Sequence, residues 1–420
     1  MGTRPFVNSN NVHMARPKAG RGKSMRRAAV DLPLVLIVAS LLIFGILMVY
    51  SASSDFSYMY YDDATYVVRR QLMFIGAGIL AAIFAAWMDY HWWRKLALPA
   101  MGVTLVLLAA VLVSGTARLG AVRSLFAGSV QPSELAKLVV VIYLAVWLYN
   151  RREQLHQFTL GLLPLGTILG LVGGFIASQP DISALITVLM LGLMMFFLAG
   201  GDWKQMLIVM GLGSLVGWLV LESGVTATGT DRINSFISGI KDPTQYSDHV
   251  QRAIEAFIQG SWFGVGLGNS KTKLLSLPFP HTDSIFAVIG EELGVIGAAV
   301  LIVLFTLLLW RGLTIARRAP DGLGALLAGG LAFWLALESS INMAVMVGLM
   351  PFAGNALPFI SAGGSSMMVA MTAVGILLNV SRMSTKSKSV EEASGAVVNM
   401  RRRNGRRRVS GSGSSASYED

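Results

Sequence analysis

Apolar residues run in unbroken stretches along most of this chain, and polar positions gather into short breaks between them. Segments such as LPLVLIVASLLIFGILMVY (32–50) and GAAVLIVLFTLLLW (297–310) are apolar on every helical face. A helix formed there needs lipid or other helices on all sides. Windows of about 20 apolar residues predict spans near 32–50, 70–88, 96–114, 134–150, 158–178, 181–199, 205–222, 284–311, 323–347 and 364–382. The pattern is that of an all-α polytopic membrane protein with ten spans and both ends of the chain on one side.

The breaks give the sidedness. Arg94 with Lys95, Arg151 with Arg152, Lys204, Arg311, Arg317 and Arg318 all fall in breaks on the side of the two termini. Excess basic charge marks the cytoplasmic face, so both ends are expected inside the cytoplasmic membrane. The breaks at 51–69, 115–133, 223–283 and 348–363 then face outward. One of them, 223–283, is a large loop, a length that points to a functional segment or a disordered one. Its stretch HVQRAIEAFIQGSWFG puts Val250, Ala253, Ile254, Phe257, Ile258 and Trp262 on one helical stripe. An amphipathic helix is expected, lying on the outer membrane surface or packed on the protein's own outer face.

Composition agrees with this picture and charge refines it. The 420 residues are 54% hydrophobic and 14% charged, with 34 Lys and Arg against 23 Asp and Glu. Residues 1–30 hold seven basic and no acidic side chains, and residues 382–420 hold nine basic and four acidic. The excess therefore belongs to two basic cytoplasmic tails, 1–30 and 383–420, around a membrane domain at 31–382. The second tail, which ends in SGSGSSASYED, is expected to be disordered. Tails of this kind suit anionic membrane lipids better than nucleic acid. The apolar run after residue 31 is too long, and too far from the start, for a cleaved signal peptide, which makes it a retained first span. Without cysteine, disulfide, thiolate and Cys-type metal chemistry are excluded.

An ionisable group inside a span costs roughly 2.5–3.5 kcal/mol on insertion scales unless it is paired or hydrated. Glu134 with Lys137, Asp181, Asp283, Glu291 with Glu292, and Glu338 therefore need partners or a task. Glu134 and Lys137, three apart, share a helix face and are either a structural ion pair or the wall of a polar cavity. Asp181 follows Pro180 and suits the first turn of a helix. Thr282 and Asp283 also read as capping residues. Asp283, however, closes the large loop, follows His281, and comes after Lys271 and Lys273, which are suited to phosphate. Glu291 and Glu292 point about 100° apart, and by helical phase Glu291 is the one expected to line a cavity with Asp283. FGVGLGNS (263–270) lacks the strand and helix of a dinucleotide loop. Its glycines fit either a close backbone approach to a ligand or plain turn chemistry.

Four motifs, QPSELAKL (131–138), QPDIS (179–183), GVGLGNSKTKLLSLPFPHTDSIFAVIGEELGVIG (264–297) and LPFISAGGSS (357–366), occur in this order on the expected spans. In this the chain resembles the SEDS family of FtsW, RodA and SpoVE over about residues 30–382, with IGEELG closest to the FtsW form. It departs from the usual pattern at Ser124, Ile182, Ser183, Ser284 and Ala353.

The resemblance implies a membrane glycosyltransferase of cell division. It would polymerise lipid II, the undecaprenyl-pyrophosphate-linked disaccharide pentapeptide, into peptidoglycan outside the membrane. It carries the family's catalytic aspartate onto Asp283, its Glu/Lys pair onto Glu134 and Lys137, its loop base onto Lys273, and its Gln-Pro-Asp aspartate onto Asp181. A divalent cation, Mg²⁺ or Mn²⁺, held at Asp283 with help from Lys273 and Arg252, would stabilise the leaving pyrophosphate. His281 and Glu291 join the expected substrate site. The implied partners are a class B penicillin-binding protein and division-site regulators. Two rivals stand beside it: a flippase of the lipid-linked precursor, which fits the same intramembrane charges, and a scaffold for division proteins, whose contacts the basic tails would suit.

Overall fold

The computed structural model describes residues 30–405 apart from 115, 119–120, 125–130, 156, 180, 223–226, 276 and 279. Pro180, all but the last residue of the basic N-terminal tail, and residues 406–420 thus lie outside the described residues. The elements in chain order are α1 (Leu32–Tyr61), α2 (Tyr66–Trp87), α3 (Trp93–Ser114), a hairpin of β1 (Thr116–Arg118) and β2 (Ala121–Ser124), α4 (Pro132–Arg151), α5 (Leu163–Ala177), α6 (Ile182–Leu198) and α7 (Trp203–Glu222). They continue with α8 (Ala227–Lys241), α9 (Asp248–Gly260), α10 (Thr272–Leu275), α11 (Ile285–Arg317), α12 (Gly322–Met346) and α13 (Gly364–Gly405).

Eight helical stretches among the described residues are long and apolar enough to cross a membrane: those of α1 to α5 and α11 to α13. The expected span at 181–199 is the 17-residue apolar helix α6, and that at 205–222 coincides with α7. Two expectations are corrected. The break at 115–133 contains a short antiparallel hairpin, with Thr116 opposite Ser124 and Arg118 opposite Ala121. The helix expected to end at 382 runs on to Gly405, because no proline interrupts the Ala-, Glu-, Lys- and Arg-containing sequence beyond it.

α1 shows why the helices arrange as they do. Asp31 caps it by accepting the Leu34 amide at 3.2 Å, and Leu34, Val38, Leu41, Gly45 and Met48 are buried at three- and four-residue spacing. Leu36, Ile43 and Leu47 on the other side stay exposed, the surface that lipid would cover. α4 and α12, by contrast, are buried on most faces and form the centre of the bundle, where α12 packs on α4, α6, α11 and α13. At the end where α1 begins, Arg311 binds both Asp31 carboxylate oxygens at 2.8 and 2.9 Å, and Ser381 donates to the same group at 2.7 Å. One carboxylate thereby joins α1, α11 and α13.

At the opposite end, α9 packs against α11 through Val250, Ala253, Ala256 and Gly260. Phe257 lies 5.4 Å from Phe286, ring to ring. The expected single stripe therefore divides. Its first part is buried on the protein, whereas Ile258 and Trp262 are exposed together with Phe263.

Candidate active site

α11 is broken at Gly294, which takes φ +68°, and the chain after α9 fills the break. Val265 N–H donates to the Glu291 carbonyl at 2.9 Å and Gly266 N–H to that of Glu292 at 3.0 Å. In return, Val295 N–H donates to the Ser261 carbonyl at 3.0 Å and Ile296 N–H to that of Trp262 at 3.3 Å. Backbone groups freed by the break are thus paired again. A Cβ on Gly294 would lie 2.4 Å from the Trp262 carbonyl oxygen. Of the glycines in this loop, Gly264 lets backbone approach backbone, with the Glu292 carbonyl oxygen 2.2 Å from where a Cβ would stand, whereas Gly266 and Gly268 serve turns at φ +96° and +83°.

The two glutamates before the break fasten the rest of the loop. Glu291, fully buried, accepts the Lys271 amide at 2.8 Å, the Thr272 amide at 3.3 Å and the Ser270 hydroxyl. It organises the start of α10 and is not free to line a cavity with Asp283, as its helical phase had suggested. Glu292, also fully buried, meets Lys273 Nζ at 3.0 Å and accepts from the Ser51 hydroxyl of α1. Lys273 also donates to the carbonyls of Ser51 and Gly268, each at 2.9 Å. Lys273, expected to meet phosphate, is thus buried against Glu292, where its charge serves as the counter-ion. Arg252 is exposed on α9 and pairs with Glu255 at 3.1 Å.

Asp283 sits in the turn leading into α11 and is half-buried. The N-cap is Ser284, whose hydroxyl donates to the Pro278 carbonyl at 3.1 Å, a bond that phenylalanine there would not make. The turn is held from several directions. Asn342 of α12, fully buried, donates to the Asp283 carbonyl at 2.9 Å and to that of Asn355 at 2.6 Å. Ser361 donates to the Thr282 carbonyl at 2.7 Å and accepts the Leu357 amide at 2.8 Å. Ala362 N–H donates to the His281 carbonyl at 2.9 Å, and Gln71 of α2 secures the Ser361 carbonyl at 3.1 Å. Phe359, in the same segment, adopts φ +66°, a strained state for a side chain of that size.

His281 is buried, packs on Phe56 with ring centroids 4.7 Å apart, and leaves Nδ1 without a hydrogen-bond partner. Burial pushes its pKa down to about 4, so the ring is neutral at pH 7. Beside the Asp283 carboxylate runs the chain at Gly354, where a Cβ would come within 3.0 Å of Oδ2. Two residues earlier, Phe352 stacks on His249 at 4.3 Å and carries the Arg232 guanidinium at 5.2 Å from its ring centroid.

Deeper in the bundle, Lys137 lies between Glu134, at 2.8 Å, and Glu338, and all three are buried. Glu338 precedes Asn342 by one turn of α12, so this charged trio lies about 5–6 Å along that helix from the clamp on Asp283. Asp181 caps α6 by accepting the Ala184 amide at 3.3 Å and joins α4 through Ser133 at 3.0 Å. Capping is therefore its observed task.

Asp283 and His281 lie two residues apart in the same turn, and the structure adds Asn342, Ser361 and Arg232, which the sequence did not single out. Asn342 carried a signal, being a polar residue four places after Glu338 on the same face of an apolar helix. Ser361 and Arg232 sit in segments whose partners lie far away in sequence.

No group of three or more His, Asp or Glu among the described residues forms a cation site. The residues do not fit a resident metal centre. A single half-buried carboxylate does fit a Mg²⁺-type ion that keeps its water and is shared with substrate phosphates.

The FtsW/RodA/SpoVE family model, described as "Cell cycle protein", matches residues 32–386. A probable peptidoglycan glycosyltransferase FtsW of Trichlorobacter lovleyi is 40% identical over 369 residues, 86% of this chain and 95% of that protein. Stage V sporulation protein E of Bacillus subtilis is 37% identical over 368 residues, 86% of this chain and 99% of its own length. Among solved structures, a chain from "Structural coordination of polymerization and crosslinking by a peptidoglycan synthase complex" superposes with TM-score 0.72 at 28% identity, covering 85% of this chain and 98% of that one. Thermus thermophilus RodA gives TM-score 0.63 at 27% identity, covering 84% and 97%.

Proposed function

The chain belongs to the FtsW/RodA/SpoVE family, and from that membership and the geometry at Asp283 we infer that it is a peptidoglycan glycosyltransferase. One observation carries the assignment of the site. Of the six carboxylates singled out above, Glu134, Asp181, Glu291, Glu292 and Glu338 are buried against partners, and Asp283 alone is not buried.

The reaction we propose joins two lipid-linked disaccharides. Asp283 takes the proton from a sugar 4-hydroxyl as its oxygen attacks the anomeric carbon of the donor. The bond from that carbon to the lipid pyrophosphate breaks, with inversion at the carbon. The clamp of Asn342, Ser361 and Ala362 on the turn fixes where the carboxylate stands, so positioning is supplied before substrate arrives. Were a divalent cation to arrive with the substrate, Asp283 would be the residue to hold it, and the chemistry it would supply is neutralisation of the leaving charge. Because Lys273 is engaged by Glu292, we assign the protein's own positive charge at this site to Arg232, next to the chain that flanks Asp283. The Glu134–Lys137–Glu338 trio supports a polar floor beneath it.

The substrate we propose is lipid II, used during division at the outer face of the cytoplasmic membrane, with both termini inside. A class B penicillin-binding protein is the partner that would crosslink the product, and division-site regulators would control the pair. The basic ends suit anionic lipid on the inner leaflet.

The test is glycan synthesis from labelled lipid II by the full-length protein co-purified with its transpeptidase, comparing wild type with folded Asp283→Asn. Polymer from the wild type only is expected. Equal polymer from both removes Asp283 as the base, and none from either, with lipid II crossing liposome membranes, favours the flippase.

A further inference from the structure

α1 contains 30 residues, about 45 Å of helix, where a bilayer core needs about 30 Å. Its surplus is the segment SASSDFSYMYY, which leaves the apolar pattern at Ser51. Ser51 is level with Glu292 and Lys273, and Phe56 is level with His281, through the contacts given above. The last turn of α1 therefore stands beside the Asp283 turn and extends past it.

Aromatic rings continue along that turn. From His281, the next ring is Phe56 at 4.7 Å, and the next is Tyr60 at 4.6 Å from Phe56. Tyr61 stacks on Tyr66 of α2 at 3.9 Å. Tyr60 is 67% exposed and Tyr61 47% exposed. The tip also carries Asp55, Asp62 and Asp63, and no base precedes Arg69, which pairs with Asp63.

We propose that Phe56, Tyr60, Tyr61 and Tyr66 form a stacking platform for the N-acetylated sugar rings of the glycan strand as it leaves the Asp283 turn. The proposal rests on the glycosyltransferase reading. A pyranose ring presents C–H bonds that suit the negative face of an aromatic ring, and phenol hydroxyls can exchange hydrogen bonds with sugar hydroxyl and N-acetyl groups. Tyrosine predominates among the exposed large side chains of the tip, as Tyr58, Tyr60, Tyr61 and Tyr66 against the single Met59, which favours sugar over acyl chains. The carboxylates around the tip disfavour phosphate and anionic headgroups. The series from His281 through Phe56 to Tyr60, with the separate Tyr61–Tyr66 stack at the same end of α1, places the rings where a product built at Asp283 first meets water.

The experiment compares the full-length protein with Tyr60→Ala/Tyr61→Ala and with Tyr60→Trp, in lipid nanodiscs. Saturation-transfer NMR reads binding of a short soluble oligomer of N-acetylglucosamine, and gel electrophoresis reads strand length from labelled lipid II. Binding about tenfold weaker in the double alanine variant, with strands about threefold shorter, unchanged strand number, and both properties kept by Tyr60→Trp, is expected on a stacking role. Wild-type binding and length in the double alanine variant would overturn the platform, as would no oligomer binding by the wild type. Loss of a co-purifying protein with both sugar readouts intact would reassign the rings to protein docking. If the wild type binds oligomer through these tyrosines yet makes no glycan, the platform stands and the polymerase reading falls.

Discussion

Asn342 holds the main chain of Asp283, donating its side-chain amide to the Asp283 carbonyl at 2.9 Å from the last turns of α12, one turn after Glu338. The same amide reaches the Asn355 carbonyl, so one buried side chain fixes the turn bearing the carboxylate and the segment that flanks it. Asn342→Ala should remove this donor from both carbonyls, of which that of Asn355 is buried, at a cost of about 1–3 kcal/mol for the buried one before any rearrangement. Because the group acts through position, kcat for glycan synthesis should fall by about 10- to 100-fold, with KM moving little. A variant that folds and keeps wild-type kcat would remove Asn342 from the positioning machinery.

Lys273 and Glu292 offer a double-mutant test. Lys273→Met alone leaves a buried carboxylate without its cation and should cost about 3–5 kcal/mol, seen as a large drop in thermal midpoint. Adding Glu292→Gln removes the orphaned charge and should restore most of the stability and the glycan synthesis. A double variant that is stable but inactive would return Lys273 to the pyrophosphate.

Gly294 is required by geometry, since its φ of +68° and the Trp262 carbonyl 2.4 Å from any Cβ leave no room for a side chain. Gly294→Ala should destabilise by at least about 2 kcal/mol and loosen residues 261–266 from α11. Hydrogen exchange of the Val265 and Gly266 amides would report it directly. Gly102→Ala in α3, with nothing within 4 Å of the added atom, is the matched control. It should be neutral or stabilising, by at most about 1 kcal/mol.

What was legible in the sequence and what was not divides along physical lines. The helices of the membrane bundle were readable because burial in lipid demands local apolar runs, as at 32–50 and 297–310. Asp283 was readable because a carboxylate at the mouth of such a run needs a reason. The tasks of Glu291, Glu292 and Lys273 were not, since their side-chain partners, Gly268 of Lys273 apart, are 19 to 241 residues away and a residue type does not name its partner. Helical phase put Glu291 toward a cavity, and the loop folding back over α11 covered that face. The split of the α9 stripe has the same origin: hydrophobic periodicity reports that a face is covered but not whether protein or lipid covers it.

His281 gives the last prediction, a pH dependence of stability. Unfolded, a histidine binds its proton near pH 6.5; folded, burial against Phe56 pushes this one down to about 4. Between those values the unfolded state holds more protons. Stability is therefore full above about pH 6.5 and falls as the pH drops toward 4, by up to about 1.4 kcal/mol per unit. Asp31, at the opposite end, does not confuse this window. Burial raises its pKa, but the bonds from Arg311, Ser381 and the Leu34 amide outweigh that and hold it below the usual carboxylate range. Its contribution is lost only as the pH falls through that lowered value. Thermal midpoints of the purified protein should drop between pH 7.5 and 5.0, and His281→Phe, which keeps a ring against Phe56 without a titrating nitrogen, should show a shallower drop. Equal drops in the two proteins would mean that the histidine is hydrated in the folded state and that its Nδ1 is not the orphan the structure depicts.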